Sequence, residues 1–600
     1  MSWSPLDLGE PLAFWNDSSL AANLRRLPAD STSGRSHPSP SVLEHVIVLL
    51  LGKDAEDTPA RKAVARMRTW DASADVVVVG YGGAGVAAAL TARTAGADVL
   101  ALDRYLGGGA TALSGGIVYA GGGTWVQRAA GVEDDAENML AYLRAEVGDA
   151  VSERTLRQFC ADSPAMIDWL SSHGVPFEAS LCPYKTSYPT DDYYLYYSGS
   201  ENSGDFRELA TPRQRGHRAH GRGVSGKKLF GPLAESAAGH GVRVHTGTRA
   251  TKLIVEDGRV IGVEATTLAD APAAVRRRFA ALARISAKPG VYHKGLRRAV
   301  QALLDRIERR HGRPTRIEAR SGVILTTGGF IANEAMVARH APDYPWAEGL
   351  PLGTAGDDGS GIAMAEALGA ATGKMDTIST WRFIAPPSAF FGSLAVNAQG
   401  RRMVDESRYG AALGAAIATT PGNRAWLLID ADLEAEARKQ IGPQSVWFQR
   451  MQTEMLLRAG RTSGRTIEEL AARAGIDPAA LRETVDAHNH AIDENRPDPQ
   501  GKPDDIRRPI RTRPFALLDI SFKARLTYPT PMLTLGGLLV DEDTGAVRTT
   551  DGGTIPGLFA AGRASVGIAS NGYVSGLSLA DCIYSGRRAG THSVQLSRAA

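Results

Sequence analysis

Gly80, Gly82 and Gly85, in the run VVVVGYGGAG, stand in the order G-x-G-x-x-G. That spacing suits the binding of a dinucleotide pyrophosphate. The first glycine allows a tight turn, the second lets the backbone approach the phosphates, and the third lets a helix pack closely on a strand. A helix opening here adds free N–H groups and a favourable dipole. Asp103, at the end of the next strand, can accept hydrogen bonds from a ribose diol. After it comes LGGGATALSGGIVYAGGGT, a long loop of small residues with hydroxyls at Thr111 and Ser114. So open a loop suits backbone wrapped around an extended FAD better than a nicotinamide cofactor. A second glycine turn follows the late apolar run GLFAAGR at 557–563.

The elements that must hold these residues are legible around them. ADVVVVG reads as a strand buried on both faces, 82–96 as a helix of small residues, and ADVLALD as a second buried strand. Together they make a βαβ unit. Further strands are expected at 242–245, 252–255, 260–265 and 322–327, and helices at 137–146, 153–173, 466–474, 478–495 and from about Leu577. The stretch 270–320 carries 14 basic and 4 acidic residues at helical apolar spacing. It reads as two basic amphipathic helices, with a solvated basic face or a face for an anionic membrane or partner. Residues 1–71 show little periodicity apart from helices at 42–51 and 59–67, and are expected to be loosely ordered. The functional chain is expected to start near Met67.

Composition narrows the class. Glycine makes up 66 of 600 residues, above the roughly 7% of an average chain. It gathers at 80–85, 107–123, 353–361 and 562–576, as turns and close ligand approaches would require. A net charge of +3 is too balanced for a nucleic-acid protein. Three scattered cysteines form neither a disulfide framework nor a zinc site. The run Val46–Leu51 is too short to span a bilayer, and no secretory signal precedes it. These features suggest a cytoplasmic protein. GRGVSGKK (221–228) matches a phosphate loop only in part, since Lys228 stands where Ser or Thr should bind magnesium. A glycine turn entering a helix at 227–240 is the better reading. His217 and His220 lack partners at ligand spacing, so no metal is expected.

The segments VVVVGYGGAGVAAA, GGATALSGGIVYAGGGT, GVILTTGGF, VNAQGRRMVDESRYG, TLGGLLVD, IPGLFAAGR and SNGYVSGLSLADCIYSGRRAG resemble the fumarate reductase and 3-ketosteroid dehydrogenase superfamily of flavoproteins. The resemblance implies an α/β fold, with a discontinuous Rossmann-like FAD-binding domain and an inserted α+β catalytic capping domain. It sets the FAD parts at 72–343, including the basic insertion 270–320, and at 528–600, with the catalytic domain at 344–527. The implied FAD-binding set is Gly80, Gly82, Gly83, Ala84, Gly85, Asp103, Arg104, Gly109, Ala110, Thr111, Ser114, Gly115, Gly116, Ala250, Gly328, Gly562, Arg563, Leu577, Ser578 and Leu579.

Within the superfamily the chain departs from fumarate reductases. The segment YPTPML has no histidine, and Arg408 lies only two residues after Glu406. Tyr409 and the pair Tyr573-x-Ser575 look most like the 3-ketosteroid Δ4-(5α)-dehydrogenases. By that resemblance Tyr409, Tyr573 and Ser575 abstract and relay a proton, and the Gly576 backbone can donate to a ketone oxygen. The implied reaction removes an α-proton and a β-hydride from a saturated apolar ketone, with a quinone-like or artificial acceptor taking the electrons. A Δ1-dehydrogenase, a desaturase of smaller cyclic ketones and a fumarate-reductase-like enzyme remain alternatives. A flavin-binding sensor is the alternative from another class. If 573–575 is extended, Tyr573 and Ser575 face one side. Tyr119 is a further candidate, and the tyrosine-rich run 191–202 is a candidate wall of the substrate pocket.

Overall fold

The computed structural model describes residues 69–522 and 528–595. Nearly all of the expected extension over 1–71, its two helices and the start near Met67 lie outside them. Within unit Trp70–Ala600, the β-branched run Ala72–Val79 forms the central strand, with Ala74, Val76, Val77 and Val78 fully buried. It pairs in parallel with Val99–Asp103 on one side and Arg313–Leu325 on the other. Across the sheet the order is 546–548, 554–560, 313–325, 72–79, 99–103 and 243–246. The antiparallel hairpin of Thr248–Glu256 with Arg259–Thr267 joins the sheet through Arg313–Leu325. This is the expected Rossmann-like sheet, and its strands come from both ends of the chain.

The helix Gly83–Thr94 follows the glycine turn and buries nine of its twelve residues. Its alanines leave room for the closing helix Leu577–Gln595 to lie directly against it. A Cβ at Gly586 would stand 2.5 Å from the Ala84 carbonyl oxygen, and one at Gly590 2.5 Å from that of Ala88. Glycine is therefore required where the two backbones meet.

A second sheet of Leu394–Asn397, Ala425–Ile429, Phe515–Asp519 and Arg461–Gly464 is antiparallel throughout and has its own apolar core. Helices Ala431–Gln444, Trp447–Ala459, Ile467–Ala474 and Pro478–Asp493 lie in the same part of the chain. A smaller sheet, with strand Pro531–Thr534 between Leu350–Pro351 and Ile378–Thr380, ties this region back to the late chain. The expected basic insertion forms two helices, Ala273–Ala287 and Lys294–His311, packed through Phe279, Ala283, Val300 and Leu304. Its helical part ends at His311 rather than running to 320, because strand pairing begins at Arg313, opposite Thr267.

One buried ionic network fixes the segment leading to Tyr409. Glu406 accepts from Arg402 at 3.0 and 2.7 Å, and Lys502 stands 2.8 Å from it. Burial alone would raise the Glu406 carboxyl, but Lys502 and Arg402 overrule it and hold its pKa at about 2. The native pKa lies below the ordinary 4.5, so this stabilisation is complete above about pH 4.5 and lost as pH falls toward 2. Urea unfolding followed by circular dichroism should show that loss in the wild type. Glu406→Gln should lack this part of the acid dependence and be less stable at neutral pH by about 3 kcal/mol, since two buried cations lose a partner.

Candidate active site

A continuous cavity of about 880 Å³ runs from the first glycine turn to the helix Trp447–Ala459, near the upper end for small-molecule sites. Of the expected cofactor residues, Gly80, Gly82, Gly83, Ala84, Asp103, Arg104, Gly109, Ala110, Thr111, Ser114, Gly115, Ala250, Gly328, Arg563, Ser578 and Leu579 line it. Tyr409, Tyr573 and Ser575 line its other end. Four expected residues are not on the wall. A Cβ at Gly85 would meet the Gly80 oxygen at 2.0 Å, one at Gly116 the Ser225 carbonyl carbon at 2.6 Å, and one at Gly562 the Ala84 Cβ at 2.8 Å. Leu577 is fully buried in the core. These four set the backbone behind the wall.

The nucleotide end fits an extended dinucleotide. Gly82 caps the helix Gly83–Thr94 without a side chain across its end, so the helix N-terminus opens on the cavity. The Gly83 amide donates to the Thr111 hydroxyl at 3.0 Å, joining the turn to the following loop. Asp103 accepts from the amides of Tyr105, Gly107 and Tyr81 at 2.8, 3.0 and 3.1 Å. It therefore shapes this loop from its place on the cavity wall. Its burial raises its pKa despite the three donors. Arg104 bonds Asp305 at 2.6 Å and Glu308 at 2.8 Å on the insertion, and Asp358 at 3.4 Å.

Two parts of the wall were not foreseen. The insertion turns Ala283, Ala287, Val291 and Tyr292 onto the cavity, so it is not only a solvated surface element. The glycine cluster at 353–361 also belongs here. Asp357 bonds Arg563 at 2.5 Å and accepts from the Thr354 amide at 2.7 Å. Its carboxylate is boxed by Gly328 (φ +81°) and Gly353 (φ +145°), at each of which a Cβ would stand 2.5 Å from one of its oxygens.

The end that holds Tyr409 and Tyr573 is an aromatic slot. Trp381 lies 4.6 Å from Tyr573 between ring centroids, Phe383 lies 5.5 Å from Tyr409, and the two tyrosine rings are 6.4 Å apart. Ile384, Phe390, Leu456 and Leu533 extend the apolar wall. Tyr573 and Ser575 both line the cavity while Val574 between them is fully buried, and Ser575 already stands in a turn closed by the Leu577 amide on the Val574 oxygen at 3.2 Å. Tyr409 caps the helix Gly410–Ala418, and its amide donates to Ser200 Oγ at 3.1 Å.

Burial governs the ionisation of these groups. It pushes the Tyr573 phenol up to about 12, against the lowering charge of Arg563. It raises Tyr409 well above 10, and the neighbouring phenols Tyr573 and Tyr196 add to the rise while a hydrogen bond with Ser575 offsets part of it. Both phenols are protonated donors at neutral pH.

Ser575 is held from behind. Its amide donates to the Ser198 oxygen at 3.1 Å, its carbonyl accepts from Ser198 Oγ at 3.0 Å, and Tyr196 Oη donates to its Oγ at 3.4 Å. Tyr196 belongs to the tyrosine-rich run at 191–202. No residue of that run lines the cavity, so the run backs the site rather than walling the pocket. Tyr119 is also off the wall, fully buried and stacked on Tyr142 at 6.2 Å. His217 bonds Thr124 Oγ1 at 2.8 Å, and its burial lowers its pKa to about 4. In the segment resembling a phosphate loop, the carbonyls of Gly221 and Gly223 accept from Arg218, and the helix that follows begins at Gly226.

Comparison with known proteins agrees with this geometry. The profile of the FAD binding domain family matches residues 75–576. The 3-oxo-5-alpha-steroid 4-dehydrogenase of Comamonas testosteroni is 38% identical over 82% of this chain and 93% of its own. The crystal structure of a 3-ketosteroid-Δ4-(5α)-dehydrogenase from Rhodococcus jostii, in complex with 4-androstene-3,17-dione, is 34% identical. It superposes with a TM-score of 0.73 over 88% of this chain and 98% of that one. The 3-oxosteroid 1-dehydrogenase of Mycolicibacterium smegmatis is 27% identical over 83% of this chain and 93% of its own.

Gly328→Val should disrupt the nucleotide end, because a branched side chain is strained at its φ and meets Asp357. The purified variant should carry much less flavin, read as absorbance near 450 nm per unit protein. Flavin content equal to the wild type would refute this role.

Proposed function

The chain belongs to the FAD binding domain family, and on that footing we propose that it is an FAD-dependent 3-ketosteroid Δ4-(5α)-dehydrogenase, desaturating its substrate next to the ketone. The observation that carries this reading is the meeting of Tyr409, Tyr573 and Ser575 in an aromatic slot at the end of the dinucleotide groove. Of the relatives described above, one is a 3-oxo-5-alpha-steroid 4-dehydrogenase and another is a 3-ketosteroid-Δ4-(5α)-dehydrogenase in complex with 4-androstene-3,17-dione. FAD, when bound, supplies the acceptor for the β-hydrogen and its electron pair.

The chain's own groups handle the proton. Tyr573, kept protonated by burial, donates to the ketone oxygen and bonds more strongly as enolate charge develops there. Gly576, expected as a second donor, is not on the cavity wall and packs against Ile117 and Tyr119 instead. Ser575 Oγ takes the α-proton while passing its own proton to Tyr409, which releases one onward. Tyr196 donates to Ser575 Oγ from behind and stabilises the charge that gathers on it during transfer. The apolar walls exclude water from the enolate and accept a flat hydrocarbon skeleton. Among the described residues, Arg563 and Arg408 do not offer a dicarboxylate a free anchor. Arg563, whose charge reaches Tyr573, is already paired with Asp357, and Arg408 lies over the Phe206 ring outside the cavity. The electrons then pass to a quinone-like or dye acceptor.

Anaerobic addition of a saturated 5α-3-ketosteroid should bleach the bound flavin. Failure of every such steroid to do so would overturn the reading. Tyr573→Phe and Ser575→Ala should retain FAD and slow this bleaching by roughly 10²-fold or more. Tyr196→Phe should slow it by about tenfold and enlarge the solvent isotope effect, as expected for a positioning residue. In the wild type the bleaching rate should not fall through pH 10, where an ordinary tyrosine ionises, because Tyr573 titrates only near 12.

A further inference from the structure

The helix Trp447–Ala459 has two unlike sides. Phe448, Gln452 and Leu456 face the cavity. Trp447, Met451 and Met455, spaced by one turn, face outward at 73%, 50% and 37% exposure. A surface helix normally turns a polar face to water. More apolar side chains surround the cavity mouth, where Val224, Tyr292 and Leu106 both line it and stand exposed. Among the described residues, these six are the majority of the ten exposed large apolar side chains. The rim is continuous from Val224 to the helix, since Tyr188 Oη donates to the Gly223 oxygen at 2.8 Å and Gln449 Nε2 donates to the Tyr188 oxygen at 3.2 Å.

The same rim is strongly positive. Segments 222–228, 273–288 and 447–459 together hold ten basic residues and one acidic residue, whereas the whole chain has a net charge of only +3. Arg276, Arg277 and Arg278 stand exposed on the insertion, which has no acidic residue between 273 and 288. Apolar side chains of the Trp and Met type, set among cations, match an anionic lipid surface, where the rings and thioethers enter the headgroup layer and the guanidinium groups pair with phosphates.

We infer that the cavity mouth docks on an anionic lipid bilayer through Trp447, Met451 and Met455, with the basic insertion alongside. The insertion alone suggests only electrostatic contact, and the exposed helix face supplies the apolar part. Docking places the slot where an apolar substrate dissolves. That use rests on the ketosteroid reading, while the docking does not.

FAD-loaded protein should co-sediment with vesicles of phosphatidylcholine mixed with phosphatidylglycerol. Binding should weaken by roughly tenfold or more in high salt or on pure phosphatidylcholine. Met451→Glu with Met455→Glu should lose binding to a similar extent, with flavin content and turnover of dissolved substrate unchanged. Arg276, Arg277 and Arg278 changed together to Ala should weaken it through charge alone. No binding to mixed vesicles, or equal binding by the Met variant, would overturn the proposal. So would a change in oligomeric state as the Met variant's only effect, which would make the face an interface between copies. The vesicles carry no substrate, so the result is independent of the steroid assignment.

Discussion

Two helices from opposite ends of the chain touch backbone to backbone, and the cavity depends on that contact. Ala84 and Ala88 of Gly83–Thr94 meet Gly586 and Gly590 of the closing helix, with no space for a methyl group between them. Interiors are packed too tightly to absorb such a group without moving a backbone. The approach carries the first turns of the closing helix up to the glycine turn at 80–85, where a Cβ at Gly83 would stand 3.6 Å from the Cys582 Cβ. Gly562 packing on Ala84 fixes the late strand in the same register. The clustered glycines are thus parts of one geometric requirement, that chain segments distant in sequence converge on one elongated groove.

Burial then decides the chemistry inside that groove. The aromatic and aliphatic side chains that exclude water also keep Tyr409 and Tyr573 protonated. A phenol that does not ionise is a dependable donor to a developing oxyanion, and it can carry a proton only by giving one up as it takes another. Affinity for a flat apolar molecule and the protonation state of the donors therefore share one cause. The same principle acts with opposite outcome at Glu406, where Lys502 and Arg402 outweigh the cost of burial and keep a carboxylate charged.

Much of this was legible in the sequence, wherever the signal was local. The run VVVVGYGGAG announces strand, turn and helix within a few residues, and Asp103 closes the next strand as expected. The spacing of Tyr573 and Ser575 on either side of the buried Val574 could be read in the same way. Features that depend on distant contacts were not legible. In a run as rich in tyrosine as 191–202, nothing local distinguishes Tyr196. It reaches Ser575 because its short strand pairs with Gly216–Arg218. The insertion could be read as two basic helices, but its inward turn from Ala283 to Tyr292 depends on docking, in which Arg104 holds Asp305 and Glu308. Gly85, Gly116, Gly562 and Leu577 illustrate the converse. They belong to the right motifs, yet each is spent on packing because the wall needs support from behind.

The distance along the chain between the two helices also sets a schedule. Nearly five hundred residues separate Gly83 from Leu577. At about 5–20 residues per second of synthesis, roughly half a minute to a minute and a half passes between them. During that interval the alanine face of the first helix lacks its partner, and the nucleotide groove lacks one of its sides. The Rossmann-like sheet is likewise incomplete until Thr554–Ala560 pairs with Arg313–Leu325. Completion of the groove in this architecture therefore waits for Leu577–Gln595 to be made, and until then the most closely packed surface of the first helix stands uncovered.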